Sequence, residues 1–222
     1  MTRLKRISLS WAGEKKSVRY IAVPRGSHKL ENSIALITFI RDYLKLADTA
    51  KEAKKIIKSG AVLVDGKVKR DQNAALGLFT TLEIEKAGVY KRFIHPSLPT
   101  EDIQKNEARK KVCKIIGKKV LKGGKLQYNL HDGRNIISEK GSSVNDSLLI
   151  ELPSQKVLEV LKFDVGANVF VTKGTKLGSI GRVKKVQRGL FNRLWIEVGK
   201  KELEIPFDGF VVVGKNIGGT SG

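Results

Sequence analysis

The chain has 222 residues, of which 43 are Lys or Arg and 22 are Asp or Glu, so its formal net charge is +21 at pH 7. Basic residues occur nearly throughout, which favours a polyanion contacted at many points over a single steering tail. The longest strongly apolar run, residues 34–40, is far too short to span a membrane, and one cysteine with three histidines gives neither a disulfide nor zinc-site spacing.

Residues 1–33 show no sustained hydrophobic period and mix basic with small polar side chains. We predict a basic N-terminal arm over 1–33, extended and ordered only when bound. The alternative is a disordered terminus, which is common for basic chain ends. The candidate phosphate contacts of the arm are Arg3, Lys5, Arg6, Lys15, Lys16, Arg19, Arg25 and Lys29.

Two helices are predicted next. From Ile34 onward, apolar residues recur at the spacing of a helix with one buried face, and Arg41 and Lys45 lie one turn apart on its other side. Thr49 and Glu52 form a capping-box pattern, which predicts the start of a second helix. Arg41 and Lys45 are candidate phosphate contacts.

The second helix carries a basic stripe. Its apolar side is predicted to hold Ala50, Ala53, Ile56 and Ile57. Its opposite side holds the candidate phosphate contacts Lys51, Lys54, Lys55 and Lys58. A solvated helix face is the alternative, but neighbouring lysines repel one another, and a bound anion removes that penalty.

A hairpin follows the second helix. Gly60 can take the left-handed conformation that ends the helix, and Asp65-Gly66 favours a type I′ turn between two short strands. Residues 80–95 alternate like two more strands, with Tyr90 interpreted as half-buried. The candidate phosphate contacts of the hairpin are Lys67, Lys69 and Arg70.

Residues 34–98 resemble a known RNA-binding module. The pattern Thr49, Ala53, Ile56-Ile57, Gly60, Val62, Val64, Asp65-Gly66 is similar to the S-four module, in which a helix pair and a small sheet dock against structured RNA. The chain departs from that module at Ala50, where many members have Arg, and at Asp65, where Asn is usual. The first departure removes one expected phosphate contact, which the lysine stripe can replace.

A central β domain is predicted over 99–165. It follows the two-proline break "PSLPT" and begins with a short polar piece that can form a helix. The strand-like runs "KVCKII", "KLQYNL", "SLLIEL" and "KVLEVLKF" are separated by turn sequences. Candidate phosphate contacts at or beside these turns are Lys118, Lys119, Lys122, Lys125 and Arg134, although loop lysines are usually only solvated.

Residues 166–222 resemble the KOW motif and its small SH3-like barrel. In "GANVFVTKGTKLGSIGRVKKV", a strand, a glycine-lined loop and a second strand follow one another, and the glycines let another backbone come close. Further strands are predicted through "RLWIEVG", "KELEIP" and "GFVVVG", with Trp195 interpreted as a core residue. The candidate RNA contacts are Lys173, Lys176, Arg182, Lys184, Lys185 and Arg188.

No catalytic constellation is found in the sequence. The motifs G-x-S-x-G, H-E-x-x-H and a helix-opening G-x-G-x-x-G are absent. "GFVVVGKN" has the spacing of a phosphate loop, but Asn216 stands where Ser or Thr would hold magnesium. We therefore predict no enzyme, no cofactor, no metal and no small-molecule substrate.

The order of these parts resembles the S-four-e family of small-subunit ribosomal proteins in archaea and eukaryotes, and "LKGGKLQYNLHDGRNI" is the most specific stretch. The resemblance implies an α+β, mostly β fold that binds small-subunit ribosomal RNA and neighbouring ribosomal proteins as a structural component, in the ribosome of the cytoplasm. Two alternatives remain: a free RNA-binding or transcription-associated factor with a KOW module, and the RNA-binding part of an RNA-modifying enzyme.

Overall fold

The computed structural model of the chain describes residues 22–95, 97–138, 141–174, 176–189, 192–199 and 201–214. These residues fall into two units, and each is described by itself. The N-terminal unit comprises the described residues up to Lys111 together with Leu152–Ser154, and the C-terminal unit comprises Val112–Glu151 and the described residues from Gln155 onward. The four-segment division of the sequence remains a prediction.

The first helical segment begins two residues later than the sequence predicted. Ile34–Ala35 forms a short strand, β1, which pairs antiparallel with Ala75–Leu76. Helix α1 is Leu36–Thr38, and it continues as a π-helical turn over Phe39–Tyr43. The apolar residues at 34 and 35 are buried by strand pairing and not by a helix face, which the hydrophobic period alone could not distinguish.

Residues 22–33 of the predicted arm are part of the N-terminal unit. The Arg25 amide donates to the Asn73 carbonyl at 2.6 Å, and the Ala75 amide donates to the Arg25 carbonyl at 3.0 Å. A Cβ atom at Gly77 would lie 2.2 Å from His28 Nδ1, so only glycine lets this imidazole approach the backbone. Residues 1–21 lie outside the described residues.

Helix α2, Ala50–Lys58, begins where the capping box was predicted. The Glu52 amide donates to Thr49 Oγ1 at 3.3 Å, and the Glu52 carboxylate accepts from the Thr49 amide at 3.3 Å. Ala53 and Ile57 are fully buried, which confirms most of the predicted apolar face, whereas Ala50 is exposed. Gly60 has a φ of 81° and ends the helix as predicted.

Short antiparallel strands complete the N-terminal unit, followed by helix α3, Lys105–Ala108. The strands are β2 Leu63–Val64, β3 Lys67–Val68, β4 Ala75–Leu76, β5 Thr80–Ile84, β6 Val89–Phe93 and β7 Glu101–Asp102. They form a sheet in the order β3-β2-β5-β6-β7, while β4 pairs with β1. Positive φ angles at both Asp65 (50°) and Gly66 (70°) confirm the predicted type I′ turn, and Tyr90 is half-buried as predicted.

The first sheet of the C-terminal unit has the order β10-β9-β8-β11-β12. Its strands are β8 Lys110–Val120, β9 Leu126–Leu130, β10 Asn135–Ser138, β11 Ser147–Glu151 and β12 Val157–Leu161. Strand β8 begins two residues before this unit. Strand β10 was not predicted, because four residues after a turn give too short a pattern to recognise.

The second sheet of the C-terminal unit has the order β16-β15-β14-β13-β17. Its strands are β13 Asn168–Val171, β14 Ile180–Gln187, β15 Arg193–Val198, β16 Lys201–Pro206 and β17 Phe210–Val212. A Cβ atom at Gly181 would lie 2.9 Å from the Glu197 carbonyl oxygen, so this glycine allows the close backbone approach that the sequence predicted. The mostly β fold with a few helices is confirmed.

The interpretation of Trp195 as a core residue was wrong. Leu194 and Ile196 are fully buried in the core of the second sheet, whereas Trp195 is half-buried. Because side chains alternate along a strand, a residue that lies between two core positions points to the opposite face.

No helix in the described part of the chain is long and apolar enough to cross a membrane.

Candidate RNA-binding surfaces

The lysine stripe of α2, defined as Lys51, Lys54, Lys55 and Lys58, is exposed along its whole length. Positions three and four apart are neighbours on a helix, so these four ammonium groups share one face. The opposite face packs Ala53 and Ile57 into the core. Within the described residues, no carboxylate pairs with any member of the stripe.

Glu52, the one acidic residue within α2, is engaged at the start of the helix, and Asp65 of the next hairpin is buried, whereas Asp48 before the helix is exposed. The Glu52 carboxylate accepts from the backbone amides of Asp48 at 3.1 Å and Thr49 at 3.3 Å. Asp65 is 7% exposed and receives the buried Lys111 ammonium at 2.7 Å. The sequence pattern predicted a turn role for Asp65 but not its pairing with Lys111, because the two positions lie 46 residues apart.

The hairpin adds further basic groups beside the end of α2. A Cβ atom at Gly60 would lie 3.3 Å from a terminal nitrogen of Arg70, which places the Arg70 guanidinium against the last turn of α2. Lys67 and Lys69 are exposed. The predicted hairpin contacts and the stripe therefore lie in one region of the N-terminal unit.

Arg41 and Lys45 do not share a helix face as predicted. Lys45 has a φ of 51°, so the chain has left the helical conformation there. Arg41 forms a two-point ion pair with Asp42, with distances of 2.5 Å and 2.9 Å. In the predicted N-terminal arm, Arg25 and Lys29 are exposed. The predicted contacts of the arm from Arg3 to Arg19 lie outside the described residues.

The long β8–β9 hairpin carries the predicted contacts of the central segment. Lys118 and Lys119 are exposed strand residues at the end of β8, beside the turn as predicted. Lys122 and Lys125 lie in the exposed turn. Arg134 lies in the next turn, between β9 and β10, where it is half-buried and pairs with Asp132 at 3.3 Å.

Several predicted contacts of the second C-terminal sheet already have partners within the chain. Lys184 Nζ lies 3.2 Å from a Glu197 oxygen and 3.9 Å from a Glu202 oxygen, and Lys173 forms an ion pair with Asp208. Arg182 Nε donates to the Gly166 carbonyl at 3.1 Å, and Lys185 Nζ lies 5.6 Å from the Trp195 ring centroid. Lys176 and Arg188 are exposed.

Two lysines that contribute to the net charge point inward. Lys111 is 1% exposed and holds Asp65. Lys114 is 5% exposed, donates to the Phe207 and Phe210 carbonyls at 2.5 Å and 2.9 Å, and lies 3.9 Å from the Phe210 ring centroid. Burial lowers the pKa of Lys114 to about 8.

Across the described ranges, no group of three or more His, Cys, Asp or Glu side chains is arranged to hold a metal.

The chain matches known families and proteins along most of its length. The sequence pattern of the S4 domain matches residues 36–78, and that of Ribosomal family S4e matches residues 97–157. Small ribosomal subunit protein eS4 of Korarchaeum cryptofilum is 42% identical over 165 residues, covering 72% of this chain and 70% of that protein. The eS4 protein of Methanothermobacter thermautotrophicus is 35% identical, covering 93% of this chain and 88% of that protein.

A solved structure agrees with these sequence matches. The crystal structure of the 30S ribosomal protein S4e from Thermoplasma acidophilum superposes with a TM-score of 0.72 at 28% identity, covering 83% of this chain and 96% of that one. The family matches and the fold thus define a ribosomal protein that carries an S4 domain. The chain belongs to the family of small ribosomal subunit protein eS4, which confirms the family predicted from the sequence.

Proposed function

We propose that the chain binds small-subunit ribosomal RNA through the lysine stripe of α2 and the adjacent hairpin, and that it contacts neighbouring ribosomal proteins. Family membership makes it a structural constituent of the small ribosomal subunit and not an enzyme. A cytoplasmic ribosome is the proposed location. The observation that supports the RNA-binding surface most directly is that all four lysines of the stripe are exposed and that no carboxylate among the described residues pairs with them.

The physical mechanism is neutralisation of phosphates by ammonium groups on a rigid helix. Each phosphate that a lysine neutralises releases counterions, so the logarithm of the binding constant falls linearly with the logarithm of salt concentration. Lysines that already hold carboxylates release fewer counterions, because their charge is balanced before RNA arrives. The exposed lysines of the β8–β9 hairpin, with Lys176 and Arg188, are proposed as further contacts, and ion-paired groups such as Lys184 as weaker ones.

The proposal is tested by replacing all four lysines of the stripe with Gln, which keeps helix propensity nearly unchanged. Each phosphate contact contributes roughly 0.7 to 0.9 to the magnitude of the salt slope. Loss of four contacts should therefore lower the slope for small-subunit ribosomal RNA by about 3. Binding is measured by filter retention across a salt series. Lys105→Gln is the control, because Lys105 is exposed and pairs with Glu85 at 2.9 Å. An unchanged slope in the fourfold variant would contradict the proposal.

A further inference from the structure

One face of strands β8, β9 and β10 is uncovered by the rest of the described C-terminal unit. The other face is core: Ile115, Tyr128 and Leu130 are at most 1% exposed. The strand register sets two cross-strand rows on the uncovered face. We call these six residues the amide face: Gly117, Asn129 and Asn135 in one row, and Lys119, Gln127 and Ile137 in the next.

The amide face has the chemistry of a hydrogen-bonding platform. Its three carboxamides each offer donors and an acceptor, and Gln127 Nε2 donates to Asn129 Oδ1 at 3.1 Å, which orients the pair. Gly117 contributes no side chain, and a Cβ there would lie 3.7 Å from Asn129 Nδ2, so the face is low on its β8 side. Ile137 is 58% exposed, an unusual exposure for a β-branched apolar residue in a strand.

The β8–β9 hairpin, which carries four of the six residues of the amide face, holds charges of one sign. From Lys110 to His131 the sequence holds seven lysines and no Asp or Glu. Two of those lysines are buried, and the exposed ones include Lys118, Lys119, Lys122 and Lys125 at the distal end of the hairpin. Cβ atoms at Gly123 and Gly124 would meet nothing within 4 Å, so the tip of the hairpin is open. A polyanion complements this rim of lysines, and one that also displays hydroxyl groups would use the three amides as well.

We propose that the amide face docks on the shallow minor groove of an RNA helix, with the carboxamides at 2′-hydroxyls and the hairpin lysines at flanking phosphates. The minor groove of A-form RNA is wide and displays 2′-hydroxyls, which both donate and accept hydrogen bonds. Carboxamides on a flat sheet match that surface in shape and in hydrogen-bonding capacity. This inference rests on the proposed RNA-binding function and assigns the C-terminal unit its own mode of contact.

The test compares two substitutions of the same type, Asn129→Asp on the amide face and Asn106→Asp on α3. Each adds one negative charge, and Asn106 is exposed in the N-terminal unit. The full-length protein is titrated with a small-subunit ribosomal RNA transcript, a short RNA duplex and a DNA duplex of the same sequence. We expect Asn129→Asp to weaken RNA binding by roughly tenfold and to reduce the preference for RNA over DNA, because it removes donors to hydroxyls. Asn106→Asp should change both by less than about twofold.

Asn135 is exposed, so Asn135→Ala provides a second variant if Asn129→Asp fails to fold. We expect it to weaken RNA binding by about 2- to 10-fold and to reduce the preference for RNA over DNA. Equal effects of Asn129→Asp and Asn106→Asp on RNA binding would overturn the inference. An unchanged preference for RNA over DNA in both amide-face variants would also overturn it, and loss of binding to a neighbouring protein in place of RNA would have the same meaning. Absence of salt-dependent RNA binding by the unmodified protein would overturn the proposed function, so the two failures are distinguishable.

Discussion

Two basic surfaces of the molecule differ in what surrounds their cations. The lysine stripe of α2 has no carboxylate partner among the described residues. The outer face of β14–β16 carries Lys184, Lys185 and Arg193 together with Glu197, Glu202 and Glu204, and Arg193 pairs with Glu204 at 2.7 Å. The first surface is a cationic strip, whereas the second, which also carries Arg182 opposite Glu197, has three acids among its four cations.

The comparison shows that counting lysines does not locate a polyanion site. A surface ion pair contributes only about 0 to 1 kcal/mol to stability, but it balances the charge that a phosphate would otherwise neutralise. The difference between the surfaces therefore depends on where the acids are placed. On the outer face of β14–β16 they are cross-strand neighbours of the basic residues, whereas at α2 Glu52 caps the helix, Asp65 lies in a buried pair, and no described carboxylate, including that of the exposed Asp48, pairs with the stripe.

The largest effect is expected from the buried pair that holds Asp65. Lys111→Met leaves the Asp65 carboxylate in the interior without its lysine, which we expect to destabilise the N-terminal unit by about 3 to 5 kcal/mol in urea unfolding. The double variant Asp65→Asn with Lys111→Met should lose less, because it removes both charges. A loss below about 1 kcal/mol for Lys111→Met would mean that the pair does not hold Asp65 inward.

The inward-facing Lys114 gives a pH-dependent prediction. Its folded-state pKa of about 8 lies below the ordinary value of 10.5, so between these pH values the unfolded chain keeps a proton that the folded chain has lost. The free energy of unfolding of the wild type, relative to Lys114→Met, should therefore rise by about 3 kcal/mol from pH 8 to 10.5.

The same experiment on Lys118→Met supplies the control, because Lys118 is an exposed lysine of the same strand. Its stability difference from the wild type should stay flat over this range. A flat difference for Lys114→Met as well would show that this lysine titrates normally and belongs with the surface cations.

A smaller effect is expected at the start of α2. Thr49→Ala removes the oxygen that accepts from the Glu52 amide, which should cost about 1 kcal/mol of stability in the N-terminal unit by urea unfolding. Thr49→Ser keeps the acceptor and should stay close to the wild type. If Ala and Ser at this position prove equal, the Thr49 hydroxyl does not stabilise the start of α2.

Local patterns predicted the parts of the fold that depend on neighbouring residues. The capping box, the left-handed Gly60 and the type I′ turn at Asp65-Gly66 are confirmed because each is fixed within a few positions. The pairing of β1 with β4 and the burial of Asp65 by Lys111 could not be predicted, since each depends on a partner tens of residues away.

Alternation along a strand was misread once. Trp195 was assigned to the core although its two neighbours are the core residues, and the rule of alternating faces would have placed it outside. The ion pairs of Lys173 and Lys184 were also not predicted, because cross-strand neighbours are set by register and not by spacing along the chain. The sequence therefore located the basic residues but not the partners that distinguish them.

The most direct test of the account compares two matched double variants in salt-dependent binding to small-subunit ribosomal RNA. Lys54→Gln with Lys58→Gln and Lys173→Gln with Lys184→Gln each remove two positive charges. We predict that the first lowers the magnitude of the salt slope by about 1.5 and the second by less than about 0.5. Equal slopes for the two variants, or a larger change in the second, would contradict the claim that the α2 lysines, which lack carboxylate partners among the described residues, bind phosphate more strongly than the ion-paired lysines do.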